Sequence, residues 1–367
     1  MENTQEEIDE WATTEPHVSA VRRPTPLPAP IQRSKVVATV PLPKVIIEQD
    51  ITCLADLIRI IETHPYVPGT QSNINLEALH NIGPELRQIH AMIGLKTFKD
   101  SLLDQLLYFM QGLHLNREQD FKHMVIYGPP GSGKTQAAKL IGTMYSKLDI
   151  LKNGVFRKVT RNDLVAGYLG QTAIKTKKVV QECLGGCLFI DEVYSLGCGG
   201  KGEDGGDSFS KECIDTLCEA LSDHKDELMV IVAGYEKDVK ECFFGMNPGL
   251  ASRFIWRFTV EEYTPEELMR IFLQKVEQNG WTFEEGTTPA TEAWFKSHKK
   301  DFVHFGRDME LLFTYTKIAH GRRIYGKSED LRRKLTMVDL VQGHKQFLNH
   351  GEKKAPSLPE SCYGLYL

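Results

Sequence analysis

Eight consecutive residues, Gly128-Pro129-Pro130-Gly131-Ser132-Gly133-Lys134-Thr135, combine a permissive backbone with a cation and a hydroxyl. Glycines let successive backbone N–H groups converge on an anion without side-chain obstruction. The spacing G-x-x-x-x-G-K-T, after an apolar run and before a helical pattern, is that of a phosphate-binding loop. A helix N-terminus there adds unpaired donors and positive dipole. Lys134 suits the β- and γ-phosphates of ATP, and the Thr135 hydroxyl suits a Mg²⁺ ion.

A second constellation, Asp191-Glu192, follows the apolar run Cys187-Leu188-Phe189-Ile190. Such a strand delivers two adjacent carboxylates to its C-terminal end, where open parallel sheets take ligands. Asp191 is expected to coordinate Mg²⁺, directly or through water. Glu192 is expected to orient and deprotonate an attacking water.

The elements that must position these groups follow from hydrophobic pattern. Met124–Tyr127, Val155–Val159, Cys187–Ile190 and Leu228–Ala233 are short apolar runs separated by helical stretches. Strands alternating with helices predict an α/β fold on a parallel sheet. Beyond Pro265 the sequence predicts only helices, to about Leu348. Leu54, Leu57, Ile58 and Ile61 mark one face of a helix ending before Pro65. A second apolar series runs from Leu76 to Met92, and a third helix ends near Gly112.

The resulting division has five parts. Residues 1–50, with Pro24, Pro26, Pro28, Pro30, Pro41 and Pro43, are expected to be a disordered linker or docking segment. A helical extension covers 51–85, the α/β region carrying both constellations 86–262, a helical region 263–350 and a disordered tail 351–367.

At 367 residues and roughly 150 per domain, two to three domains are expected. The 44 Lys and Arg against 49 Asp and Glu give a net charge of −5, which removes the argument from a globally basic chain for nucleic-acid binding. No apolar run is long enough to span a membrane. The acidic start, Met1–Asp9, differs from a secretory or mitochondrial leader. A soluble, cytoplasmic protein without a membrane partner is the expectation. The eight cysteines lack the paired spacing of a zinc module, so reduced, mostly buried thiols are expected.

Together these residues resemble AAA+ ATPases, and more closely the family of red-type rubisco activase and stage V sporulation protein K. The resemblance covers about residues 90–350. It also rests on Gly167-Tyr168-Leu169-Gly170-Gln171-Thr172-Ala173, Val232-Ala233-Gly234-Tyr235, Asn247-Pro248-Gly249-Leu250-Ala251-Ser252-Arg253-Phe254 and Phe305-Gly306-Arg307-Asp308. It implies an αβα parallel-sheet nucleotide-binding subdomain followed by a small helical lid, assembled as a homo-hexameric ring. In that pattern Met92-Ile93-Gly94-Leu95 lies near adenine and Arg253 is donated to the γ-phosphate of a neighbouring subunit. Arg307 contacts nucleotide from within its own subunit. Gly234-Tyr235 stands where many AAA+ proteins carry Asn or Thr as a polar sensor.

Tyr168-Leu169-Gly170 has the aromatic–apolar–glycine order of a substrate-gripping pore loop, which points to a protein substrate. A glycine-rich stretch, Gly197–Gly206, would be a second pore-facing loop. Two other classes compete. Residues 149–178 hold seven basic residues against two acidic ones, a strip that can face a nucleic-acid backbone. A nucleotide-switched scaffold is the third class, but it has no chemical need for Glu192.

Overall fold

A computed structural model describes residues 44–115, 120–168, 170–197, 208–284 and 291–351. The Pro-rich segment up to residue 43, most of the Gly197–Gly206 loop, Leu169 and the tail after 351 lie outside the described residues.

The described residues open with β1 (Lys44–Val45), α1 (Leu54–Thr63), β2 (Gln71–Ser72), α2 (Leu76–Asn81), α3 (Gly83–Ala91) and α4 (Lys96–Met110). The expectation that order begins only near residue 51 is corrected: β1 pairs in parallel with β2, and Ile47 is buried. The apolar series from Leu76 is two helices rather than one, because Pro84 opens a new helix just after Ile82.

The core follows as β3 (Met124–Tyr127), α5 (Lys134–Lys147), β4 (Phe156–Val159), α6 (Arg161–Leu164), α7 (Thr172–Glu182), β5 (Cys187–Ile190), α8 (Ser208–Asp223) and β6 (Met229–Gly234). After α9 (Glu236–Asp238) and α10 (Pro248–Arg253) comes β7 (Trp256–Thr259). The strands form one parallel sheet in the order β4-β5-β6-β3-β7. The edge strand β7 was not among the four expected.

The sheet is covered on both faces, so its central strands are apolar throughout rather than alternating. Met124, Ile126, Phe189 and Ile231 join one cluster with α4 and α5, while Val125, Tyr127, Leu188 and Val230 join another with α7 and α8. Residues of α1, α2 and α3 belong to the first cluster, and Lys147 of α5 clamps both oxygens of Glu85 at 2.8 Å. Among the described residues five cysteines are free thiols, four of them buried, while Cys242 is disulfide-bonded, an exception to the expected reduced thiols.

The C-terminal part comprises α11 (Pro265–Gln278), β8 (Thr282–Phe283), α12 (Glu292–His298), α13 (Gly306–Ile324), β9 (Lys334–Leu335) and α14 (Met337–Gly351). It is helical except for the two-residue pair β8 and β9, again parallel. Thr264 caps α11 by a reciprocal box with Glu267, and Pro265 takes the first helical position. Among the described residues no helix is long and apolar enough to cross a membrane.

Candidate active site at the C-terminal end of the sheet

The loop after β3 turns sharply because Gly131 and Gly133 take φ of +74° and +87°, values open to glycine. Gly133 thereby starts α5, and Lys134 is its first residue. The Lys134 ammonium donates to the carbonyls of Gly128 (2.8 Å) and Pro129 (2.6 Å), folded over the loop it follows. Burial depresses the Lys134 pKa, and the carboxylates of Asp191 and Glu192 partly oppose that shift. The Ser132 hydroxyl donates to the Pro129 carbonyl, and the buried Tyr263 hydroxyl donates to the Ser132 carbonyl.

Parallel pairing places the end of β5 two strands from β3, across β6. Asp191 is held by both of its oxygens. Oδ2 accepts from Thr135 Oγ1 at 3.3 Å and from the Lys158 ammonium at 2.5 Å; Oδ1 accepts from the Glu192 N–H at 3.1 Å. Glu192 takes a left-handed backbone, φ 50° and ψ 47°, and its side chain is exposed. Three of the five described non-glycine residues with positive φ border this region: Leu95, Glu192 and Phe305. Such strain persists where surrounding structure over-determines it, and it concentrates at functional sites. Thr135 and Asp191 together offer hard oxygen donors of the kind Mg²⁺ accepts when phosphates and waters complete its shell.

The lid closes the opposite wall. The Gly306 N–H at the start of α13 donates to the Gly131 carbonyl (3.2 Å), so loop and lid are joined by backbone. A Cβ on Gly131 would collide with the His304 carbonyl, which explains the glycine there independently of its φ. Gly94 is constrained chiefly by its backbone, with φ +69°, and a Cβ there would crowd Glu267 Oε1 at 2.8 Å. The resulting cleft, about 760 Å³, is lined by Gly128, Pro130, Gly131, Gly133, Lys134, Thr135, Asp191, Glu192, Met92, Ile93 and Arg307. Gly234 and Tyr235 line it too.

Two predicted groups lie elsewhere. Arg253 does not line the cleft; its Nε donates to Ser222 Oγ (2.8 Å) and its terminal nitrogen to the Gly249 carbonyl (2.5 Å). Tyr168 is 75% exposed, and a Cβ on Gly170 would meet open space.

Sequence reasoning missed Lys158, Tyr194, Tyr263 and the α11 amides Gln274 and Gln278, all of which line the cleft. Only the capping sequence around Tyr263-Thr264-Pro265 hinted at the lid's entry point. The basic strip is largely spent internally. Lys152 pairs with Glu227, Arg157 with Glu182, Lys158 with Asp191 and Lys177 with Glu219. Lys175 donates to the carbonyls of Asn162 and Val165, and Arg161 to Ser195 and Ser210.

Comparison with known proteins agrees with this geometry. Residues 124–247 match the family model for the ATPase family associated with various cellular activities (AAA). The chain is 39% identical over 282 residues to a putative cfxQ-like protein of Acanthamoeba polyphaga mimivirus, covering 76% of this chain and 68% of that one. It is 33% identical over 260 residues to a chloroplastic ribulose bisphosphate carboxylase/oxygenase activase of Cyanidioschyzon merolae, covering 68% and 85%. It is 34% identical over 221 residues to stage V sporulation protein K of Bacillus subtilis, covering 58% and 65%. A nucleotide-sized cleft at the end of a five-stranded parallel sheet, on a chain with these relatives, belongs to an AAA ATPase of the CfxQ, rubisco activase and stage V sporulation protein K group, an ATP hydrolase.

Proposed function

We propose that this chain works as a ring of identical subunits, six to a ring, that couples ATP hydrolysis to the remodelling or threading of a protein substrate. The observation carrying the hydrolytic part is the convergence of Lys134, Thr135, Asp191, Glu192 and Arg307 on one cleft.

The residues then take these roles. Backbone N–H groups of Gly128–Thr135, including those of Gly131, Ser132 and Gly133, cradle the phosphates. Lys134 exchanges its two carbonyl partners for phosphate oxygens, a gain because a charged acceptor makes the stronger hydrogen bond. Thr135 and Asp191 hold Mg²⁺, which when bound supplies positive charge against the phosphates. Glu192 takes a proton from the attacking water at its carboxylate. Met92, Ile93 and Gly94 flank the base. Arg307 reports nucleotide to the lid, and Arg253 serves the cleft of an adjacent subunit.

For the substrate, Tyr168-Leu169-Gly170 is the gripping element. An exposed aromatic ring beside a glycine free to turn suits contact with an extended chain of any sequence. A relative named as an activase of an enzyme supports a protein as the thing acted upon. The internal pairing of the basic strip weighs against nucleic acid, since paired cations release few counterions from a phosphate backbone.

Replacing Glu192 by Gln tests the chemistry. Turnover is expected to fall roughly 10²- to 10⁴-fold while ATP remains bound, whereas Lys134→Ala weakens binding itself. Unaltered steady-state turnover in Glu192→Gln would remove Glu192 as the base.

A further inference from the structure

Lys158 stands on β4, the strand beside β5, in register with Phe189 two residues before Asp191. Its ammonium lies 2.5 Å from Asp191 Oδ2 and 5.9 Å from the centroid of the Phe189 ring. Oδ2 is also the oxygen facing Thr135, at 3.3 Å, while Oδ1 is turned to the Glu192 N–H. A cation placed between Thr135 and Asp191 approaches Oδ2, where its charge opposes that of the Lys158 ammonium. The lysine has room to turn: it lines both the nucleotide cleft and an adjoining hollow of about 340 Å³ that shares Asp191, Glu192 and Arg307 with the cleft and is further bordered by Thr160, Arg161 and Asn162.

We propose that Lys158 is a positioning residue that gates the divalent-cation site, holding Asp191 until Mg²⁺ and nucleotide displace it together. This rests on the ATPase reading above. The physical argument is charge replacement. Asp191 beside incoming phosphates is repulsive unless a positive charge neutralises it, and Lys158 provides that charge whenever the metal does not. Metal arrival works against the ammonium beside Asp191, so the pair raises the metal concentration at which Mg–nucleotide binds. Lys158 then turns toward the adjoining hollow, whose wall holds the Thr160 hydroxyl and the Glu192 carboxylate. The pair is partly exposed, with side chains 46% and 20% accessible, so its effect is moderate rather than absolute.

The test measures affinity for a non-hydrolysable ATP analogue in excess chelator and across a Mg²⁺ titration. Wild type, Lys158→Met, Lys158→Gln and Lys158→Arg are compared, with Mn²⁺ binding followed in parallel by electron paramagnetic resonance. Removing the charge should lower the metal midpoint roughly two- to fivefold and weaken metal-free analogue binding by a similar factor. Lys158→Arg, which keeps the ion pair, should restore wild-type values in both arms. A purely structural role would move both arms in the same direction. That result, or an unchanged metal midpoint, overturns the proposal. Unliganded melting temperatures of the Met and Gln variants identify whichever keeps the native fold for this comparison. Wild type that binds no analogue even with Mg²⁺ would instead strike the ATPase reading beneath it.

Discussion

Lys134 and Arg253 are both cations beside short turns, one after the C-terminal end of β3 and the other before the N-terminal end of the parallel strand β7, and they are held in opposite ways. Lys134 begins α5 and points into its own cleft, where backbone carbonyls share its ammonium and burial depresses its pKa. Arg253 ends α10 away from the cleft, fixed to a hydroxyl and a carbonyl and set 5.9 Å from the Phe121 ring centroid. Neutral anchors orient a guanidinium without consuming its charge, so it remains able to meet an anion arriving from outside. On the proposed ring reading, the contrast separates what one chain completes alone, the cleft, from what it would offer to another copy.

The sharpest way to break that separation is Arg253→Ala. If the arginine acts across an interface, turnover should fall on the order of 10³-fold, as for other arginine fingers. ATP binding to isolated subunits should be unchanged, since no cleft residue is touched. Mixing Arg253→Ala with Glu192→Gln subunits should recover part of the activity, because some interfaces then pair an intact finger with an intact base. Wild-type turnover in Arg253→Ala, or mixtures no more active than their components, would place the arginine outside catalysis.

Beneath Arg253 lies a titratable support. His123 is fully buried, its ring 5.8 Å from Phe254 and 5.7 Å from Phe121 by centroids. Its Nδ1 accepts from the Val230 N–H at 3.1 Å, which assigns the proton to Nε2, facing the Leu221 carbonyl at 3.3 Å. Burial foremost, with Lys122 and Arg253 adding to it, pulls the His123 pKa from 6.5 down to about 3. The folded protein therefore keeps His123 neutral while the unfolded chain takes up a proton below 6.5. Its contribution is whole above that value and declines as pH falls toward 3. The expected loss from this one group is about 2 kcal/mol between pH 6.5 and 5. Urea unfolding should show a steeper acid decline for wild type than for His123→Gln, whose amide can serve both backbone partners. Parallel slopes would deny the histidine this role.

These supports also show what was legible before any coordinates. The phosphate loop and Asp191-Glu192 are contiguous in sequence, and their local context of strand, turn and helix already implies geometry. Lys158 is not contiguous with anything it serves. Its partner is chosen by the pairing of β4 with β5, a tertiary fact, and a lysine in an apparently solvated strip carries no mark of it. The strand Trp256–Thr259 escaped notice because only Phe258 is fully buried and an arginine sits mid-strand, as edge positions permit. At two residues each, β8 and β9 are too short for any period to register. The lid's approach to Gly131 was legible only as a glycine, with nothing to say that a neighbouring carbonyl required it.

On the cleft side of the comparison the smallest expected effect is a proton. Lys134 is held below the ordinary lysine value of 10.5 chiefly by burial, with Arg307 adding to the shift. Triphosphate beside it favours the charged form, so binding raises its pKa. Binding therefore takes up a proton wherever free Lys134 has begun to lose one. ATP affinity should decline with rising pH at values where an exposed lysine would still be charged, by at most about tenfold per pH unit. Calorimetry of a non-hydrolysable analogue in two buffers of different ionisation enthalpy, at pH values below the ordinary lysine value of 10.5, counts the protons directly. Lys134→Arg, which stays charged throughout, should abolish that uptake, and Lys158→Met should leave most of it. Arg253→Ala should leave it untouched, because that residue does not line the cleft. Zero uptake across those pH values would mean that Lys134 is already fully charged over its carbonyl partners, and burial would then set less of its chemistry than the geometry implies.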